Sequence, residues 1–212
     1  MNEISMQINL QHSINKLVAW GKRNHLEFSG AKTELITFVR KHRTLDHLSV
    51  KVDNVRILPK KQTKYLGVIM DQKLNWRTHI ENKYTMCKRK VMELKQYSRL
   101  NWGANKHTLT KLLNGTVHQI LLYAAPVWIE ATNYKWCQTK LRSIQRIILM
   151  TTIRSFKTIS TLSALILSNA LPMEMEAQMQ TMMAFLKRRS PSIDYHIRHS
   201  NFIPQLLQYC SI

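Results

Sequence analysis

The sequence predicts an α+β protein: a small antiparallel sheet with one helix, followed by a mainly α-helical second part. Three observations carry this reading. The stretch YLGVIMDQKLNW, Tyr65 to Trp76, opens on β-branched and aromatic residues that suit a pleated surface and closes on a polar break at Asp71 and Gln72. From Arg77 onward the apolar spacing changes from about two to about three and a half residues. Asp53-Asn54 separates two short alternating runs, which makes it a hairpin turn that tolerates positive φ.

Met6, Leu10, Ile14 and Leu17 recur at helical spacing, so the first twenty or so residues form an amphipathic helix ending near Gly21 to Asn24, with Trp20 at its end as part of the core. Ser29-Gly30 turns the chain, and Thr33 to Val39 reads as a strand with Lys32 at its mouth. After the basic connection from Arg40 to His47, Leu48, Val50 and Val52 make one arm of the hairpin and Val55 and Ile57 the other. Pro59-Lys60-Lys61 breaks the second arm. Tyr65 to Met70 is then a fourth strand, in which Gly67, without a Cβ, marks a bulge or a close approach by another backbone.

Beyond Trp76, Ile80, Tyr84, Cys87, Val91 and Leu94 define a long helix. Gly103 belongs to the next turn, and Leu109, Leu113, Thr116, Ile120 and Tyr123 give a second helix that Pro126 ends or kinks. Cys137, Leu141, Ile144, Ile148 and Thr151 give a third. Thr158 or Ser160 caps a short helix through Leu167 that stops at Asn169. Pro172 suits the first turn of a last helix, with Glu174 and Glu176 at its positive end and Met175, Met179, Met182 and Leu186 as its packed stripe. The expected division is residues 1–76, residues 77–189 and an irregular tail, residues 190–212.

Thirty-two Lys and Arg stand against 12 Asp and Glu, a formal net charge of +20. Such self-repulsion is tolerable where a polyanion neutralises it, and nucleic acid is the first candidate. The charge runs through helical segments instead of a tail, and Ala131 to Met173 holds no carboxylate, which places it on a basic face. Three widely spaced cysteines, Cys87, Cys137 and Cys210, fit neither a disulfide framework nor a zinc site. No apolar run reaches the ~20 residues that span a bilayer, and the amino end lacks a secretory pattern. The expectation is an intracellular protein, cytoplasmic or nuclear, with no membrane partner.

Chemistry-bearing constellations are absent from the sequence: no paired carboxylates, no nucleophile beside a base, no phosphate-binding glycine loop and no metal-ligand spacing. The scattered histidines, His79, His196 and His199 among them, read as surface residues. Asp46, Asp53, Asp71 and Asp194 fall in a loop, a turn, a strand end and the tail, where short polar side chains are wanted anyway.

An ordered set of motifs then carries a resemblance. Ala19-Trp20, Asn24-His25-Leu26, Ala31-Lys32-Thr33, Tyr65-Leu66-Gly67-Val68 with Asp71, Leu74, Trp76, His79 and Ile80, then Leu122-Tyr123-Ala124-Ala125-Pro126-Val127-Trp128, Leu141 with Ser143, Gln145 and Arg146, Lys157-Thr158-Ile159-Ser160, and Leu171-Pro172-Met173 follow one another in this order. The set resembles the reverse transcriptases of non-LTR, LINE-like, jockey-type retrotransposons, from the end of the polymerase palm through the thumb.

That resemblance implies roles for particular residues. Lys32 matches the lysine that donates a proton to the leaving pyrophosphate, although Ser29-Gly30 replaces the usual Asn-Pro before it. Tyr65, Leu66, Gly67 and Val68 match the primer grip. Lys83, Lys90, Lys140, Arg142 and Arg146 would lie on the thumb's basic face and meet RNA, DNA or an RNA·DNA hybrid through backbone phosphates. The full-length family works with magnesium held by palm aspartates, and this chain begins after them, so the implied chain has no metal site, no cofactor and no polymerase activity of its own. Two alternatives stay open: a non-catalytic nucleic-acid-binding module, and a decayed remnant without selected function.

Overall fold

The computed structural model describes residues 3–39, 47–98 and 103–188, and the chain divides into two compact units, one up to His79 and one from Ile80 onward. Expectations for Asp46, His196, His199, Asp194, Cys210 and the tail lie outside the described residues.

In the first unit, helix α1 (Glu3–Arg23) rests on an antiparallel hairpin of β2 (Val50–Val52) and β3 (Val55–Ile57). Leu10, Ile14 and Val18, with Leu35, pack against Val50, Val52 and Ile57. The packed face therefore ends on Val18 and not Leu17, which is 56% exposed, and Trp20 is 49% exposed instead of in the core. The surface beneath the helix is a hairpin with three-residue arms, which positions 10, 14 and 18 already cover. The side-chain amide of Gln11 pairs with the backbone of Lys51 in both directions, at 2.9 and 2.8 Å, and so fixes the helix to one edge of the hairpin. Asp53 and Asn54 take φ of 48° and 61°, the turn the sequence predicts.

The strand expected over Thr33–Val39 shortens to β1 (Leu35–Ile36), which pairs in parallel with β4 (Pro59–Lys60). Pro59 has no N–H to extend that ladder. Before β1, Gly30 opens a 3-10 turn, Gly30–Lys32, against the hairpin, and a Cβ there would lie 2.5 Å from the Val52 carbonyl oxygen.

The stretch from Tyr65 to Met70 is not one strand. Strand β5 (Gln62–Tyr65) turns at Leu66 and Gly67, with φ of 45° and 81°, into β6 (Val68–Asp71), and the two pair antiparallel. Gly67 is thus a turn glycine, not a bulge within a strand, because β-branched and aromatic content alone cannot distinguish one strand from two short arms. After β6 the Asp71 carboxylate accepts the N–H groups of Asn75 (3.1 Å) and Trp76 (3.0 Å) and shapes the entry into α2 (Arg77–Lys95). His79 is buried, not a surface residue, and its Nδ1 accepts the N–H of Ile69 at 3.2 Å.

The named elements of the second unit's described residues are all helical, with one isolated β-bridge between Ser98 and Gly103. Ile80, Cys87 and Val91 are the buried face of α2. Helix α3 (Lys106–Leu113), capped by Asn105, runs through a π-helical turn, Asn114–His118, into α4 (Gln119–Leu122). Leu109, Leu113, Val117 and Leu121 are buried, whereas Thr116 is exposed and Ile120 only half-buried, a correction to the expected stripe. Four-residue steps drift around an α-helix, and the wider π turn takes up that drift.

The helix breaks before Pro126, at Ala124 with φ of 55°, and Pro126 then opens α5 (Ala125–Trp128) instead of ending the preceding helix. Helix α6 (Lys135–Ile153) buries Cys137, Leu141, Ile144, Ile148 and Thr151, as the spacing predicts. Ser160 caps α7 (Thr161–Ser168) by accepting the Ser163 N–H, and Asn169 ends it in the left-handed region. On α8 (Met173–Arg188) Met173, Met175, Ala177 and Thr181 are buried, so of the expected stripe Met175 is in the core. Met179 and Leu186 of the expected methionine stripe are exposed, at 41% and 45%. Ala177 and Thr181 are small enough for α8 to approach its neighbours closely, so beyond its first turn the packed face follows them and not Met179 and Leu186.

Candidate nucleic-acid interface

Helix α2 presents Lys83 and Lys90 seven residues apart, about 10 Å along the axis. Both line an open groove of about 590 Å³ within the second unit, shared with Met86, Gly115, Gln119 and Tyr123. The Lys83 ammonium lies 4.8 Å from the centre of the Tyr123 ring. Lys90 pairs with Glu93 at 2.7 Å, an exposed i,i+3 contact that solvent screens. Lys140 of α6 stands 4.9 Å over the ring of Tyr84.

The other two cations face structural partners. Arg142 binds the largely buried carboxylate of Glu174 at 2.6 Å. Arg146 donates to the Thr161 hydroxyl (2.8 Å) and to the carbonyls of Lys157 (2.7 Å) and Ile159 (2.8 Å), which holds the loop before α7. Beside it the buried amide of Gln145 donates to the Leu171 carbonyl at 2.6 Å and accepts the Met173 N–H at 3.0 Å, fixing the start of α8. The five cations therefore form one pair in a groove, one on a neighbouring tyrosine and two that tie helices together. The sequence treated them alike because helical spacing places a side chain on a face without naming its partners.

The motif at Tyr123 to Trp128 also has a local explanation. Trp128 is fully buried and its indole N–H donates to the Tyr123 carbonyl at 3.0 Å, across the left-handed step at Ala124. The Tyr123 side chain is left 48% exposed over the groove. The sequence pattern singles out no role for Gly115 and places Tyr84 and Tyr123 on packed helix stripes, whereas Tyr123 is exposed. The available signal was a glycine inside a helical pattern where no turn is needed.

In the first unit, Lys32 is exposed at the end of its 3-10 turn, and Tyr65 and Leu66 are exposed around the β5–β6 turn, while Val68 is buried. Close by in sequence, Glu34 accepts from Lys60 (2.6 Å) and from the Thr63 hydroxyl, and these bonds hold its carboxyl below its ordinary range. Among the described residues no three His, Cys, Asp or Glu side chains converge as metal ligands. Burial pushes the thiols of Cys87 and Cys137 up to about 12, which leaves neither a thiolate nucleophile at neutral pH. No described helix is long and apolar enough to cross a membrane.

Fold and site together define an α+β protein with a helical carboxy-terminal part and a cationic, aromatic-lined groove. The chain is a non-LTR retrotransposon-derived protein. It is 27% identical over 128 residues to the putative 115 kDa protein in type-1 retrotransposable element R1DM of Drosophila melanogaster, covering 60% of this chain and 12% of that one. It is 23% identical over 180 residues to the retrovirus-related Pol polyprotein from type-1 retrotransposable element R1 of Bradysia coprophila, covering 82% and 17%. A similarly named Nasonia vitripennis protein is 28% identical over 116 residues, covering 55% and 34%. The chain thus spans between 12% and 34% of the length of these relatives. No protein-family profile matches it. No solved structure matches it.

Proposed function

We propose that this chain is the end of the palm and the thumb of a non-LTR retrotransposon reverse transcriptase, that it binds RNA, DNA or an RNA·DNA hybrid through backbone phosphates, and that it does not polymerise by itself. The observation that carries the reading is the charge of +20 on a chain related to Pol polyproteins, with Lys83 and Lys90 presented together in the helical unit. Binding is electrostatic and indifferent to sequence, needs no cofactor, and takes place in the cytoplasm or nucleus. Arg142 and Arg146 contribute little to it, since their guanidinium groups hold Glu174 and the loop before α7.

Fluorescence anisotropy of a labelled RNA·DNA hybrid, titrated at several salt concentrations with and without EDTA, tests the reading. With about three phosphate contacts, from Lys83, Lys90 and Lys140, the log–log salt slope is roughly −3, and replacing Lys83 and Lys90 by alanine lowers it by about two. Affinity that is flat with salt would refute it. Primer extension with magnesium or manganese should give no product, because the described residues bring no metal-holding carboxylate cluster together. Template-dependent incorporation by the purified chain would overturn that part.

A further inference from the structure

Gly115 is unexplained by the fold. It sits in the π-helical turn, its φ lies outside the left-handed region, and a Cβ added to it would meet nothing within 4 Å. Neither a turn nor a close internal contact requires glycine there, and glycine within a helix is destabilising relative to other residues. What Gly115 does is line the groove between Lys83, Lys90 and Tyr123, so its missing side chain leaves open the space that another molecule would enter. π-Helical turns recur at functional sites for the same reason, since they reposition a helix face locally.

The groove offers two chemistries at once. Met86, Leu94, Ile120 and the half-exposed Tyr123 ring make an apolar, aromatic wall, while Lys83 and Lys90 supply ammonium groups and Glu93 pairs with the second of them. A duplex presents its phosphates to a surface and keeps its bases stacked inside, so it has no use for such a wall. An unstacked nucleotide does: its base lies on the aromatic ring and its flanking phosphates meet the lysines. We infer that this groove holds a short single-stranded stretch of RNA or DNA adjoining the duplex, with one base stacked on Tyr123 and phosphates on Lys83 and Lys90. A base arriving on the ring moves the Lys83 ammonium from the ring face to a phosphate. This inference rests on the nucleic-acid reading above and adds a subsite to it.

The test uses the full chain and two labelled probes, a blunt RNA·DNA hybrid and the same hybrid carrying a six-nucleotide uridine overhang. The overhang should tighten binding by about tenfold, and Tyr123→Ser should remove that gain while Tyr123→Phe, which keeps the ring, restores it. Gly115→Leu should also remove the gain and at the same time raise the urea midpoint, since leucine suits a helix better than glycine. Loss of binding without loss of stability is the signature that a structural role for Gly115 would not give. If both probes bind alike and the variants change nothing, the subsite is refuted while phosphate binding stands. If neither probe binds in a salt-dependent way, both are refuted.

Discussion

In the unit up to His79 the sheets have two strands each, and the buried apolar side chains among the described residues are Leu48, Val50, Val52, Ile57, Val68 and Trp76. In the unit from Ile80, Trp128, Leu109, Leu113, Leu121, Leu141, Ile144 and Met173 are each less than 2% exposed. A two-stranded ladder has few partners to bury, so the first unit depends on the close approach at Gly30 under the hairpin and on the positive φ of Gly67 and Asp53-Asn54 in its turns. The second depends on side-chain volume, and on Gln145 and Arg146 satisfying backbone carbonyls that no ladder reaches. One chain therefore carries two kinds of sensitivity: one unit to changes of φ and close approach, the other to truncation.

Trp128→Ala should show the largest effect, costing about 3–5 kcal/mol by leaving a cavity in the helical core. Urea unfolding followed by circular dichroism reads it, and a loss below about 1 kcal/mol would mean that volume does not govern this unit. Alkaline pH attacks the same core. The Cys87 and Cys137 thiols stay protonated to about 12 when folded, whereas an unfolded thiol ionises from about 9, so the unfolded chain loses protons first. Stability should fall as pH rises through that window. Cys87→Ala combined with Cys137→Ala should flatten the dependence of the urea midpoint on pH, and an unchanged slope would contradict the assignment.

Arg146→Ala removes three charged hydrogen bonds and should cost about 2–4 kcal/mol. Hydrogen exchange should localise the loss to the loop before α7, and a variant that instead loses hybrid affinity at full stability would return Arg146 to the binding face. In the first unit Gly30→Ala should cost about 2 kcal/mol, since its Cβ would press on the Val52 carbonyl. Gly67→Ala should cost about 1 kcal/mol through its positive φ. Exchange protection in β2 and β5 separates the two, and equal indifference to both would remove the contrast between the units.

How much of this was legible beforehand follows from the physics of each element. Helix existence in α1, α2 and α6, the Asp53-Asn54 turn, the Ser160 cap and the Asn169 stop were readable because periodicity and turn chemistry are local. Which face of a helix is buried depends on what it meets. Thus Val18 replaced Leu17 where the hairpin is narrow, and Ala177 replaced Met179 where α8 packs closely. Gly67 stands in a turn and not within a strand, a distinction composition does not carry because a two-residue turn and a bulge leave the same trace in it.

By itself the sequence determined the α+β class, the cationic charge and the relationship to retrotransposon proteins, since composition, period and motif order survive without coordinates. Only the tertiary structure decided which partner each cation meets. Lys83 and Arg146 look alike along a helix, yet one stands over a tyrosine at an open groove and the other is bound by two carbonyls and a hydroxyl from residues 157–161. Hydrogen-bond partners come from segments that the fold brings together, and no spacing rule within one helix encodes them.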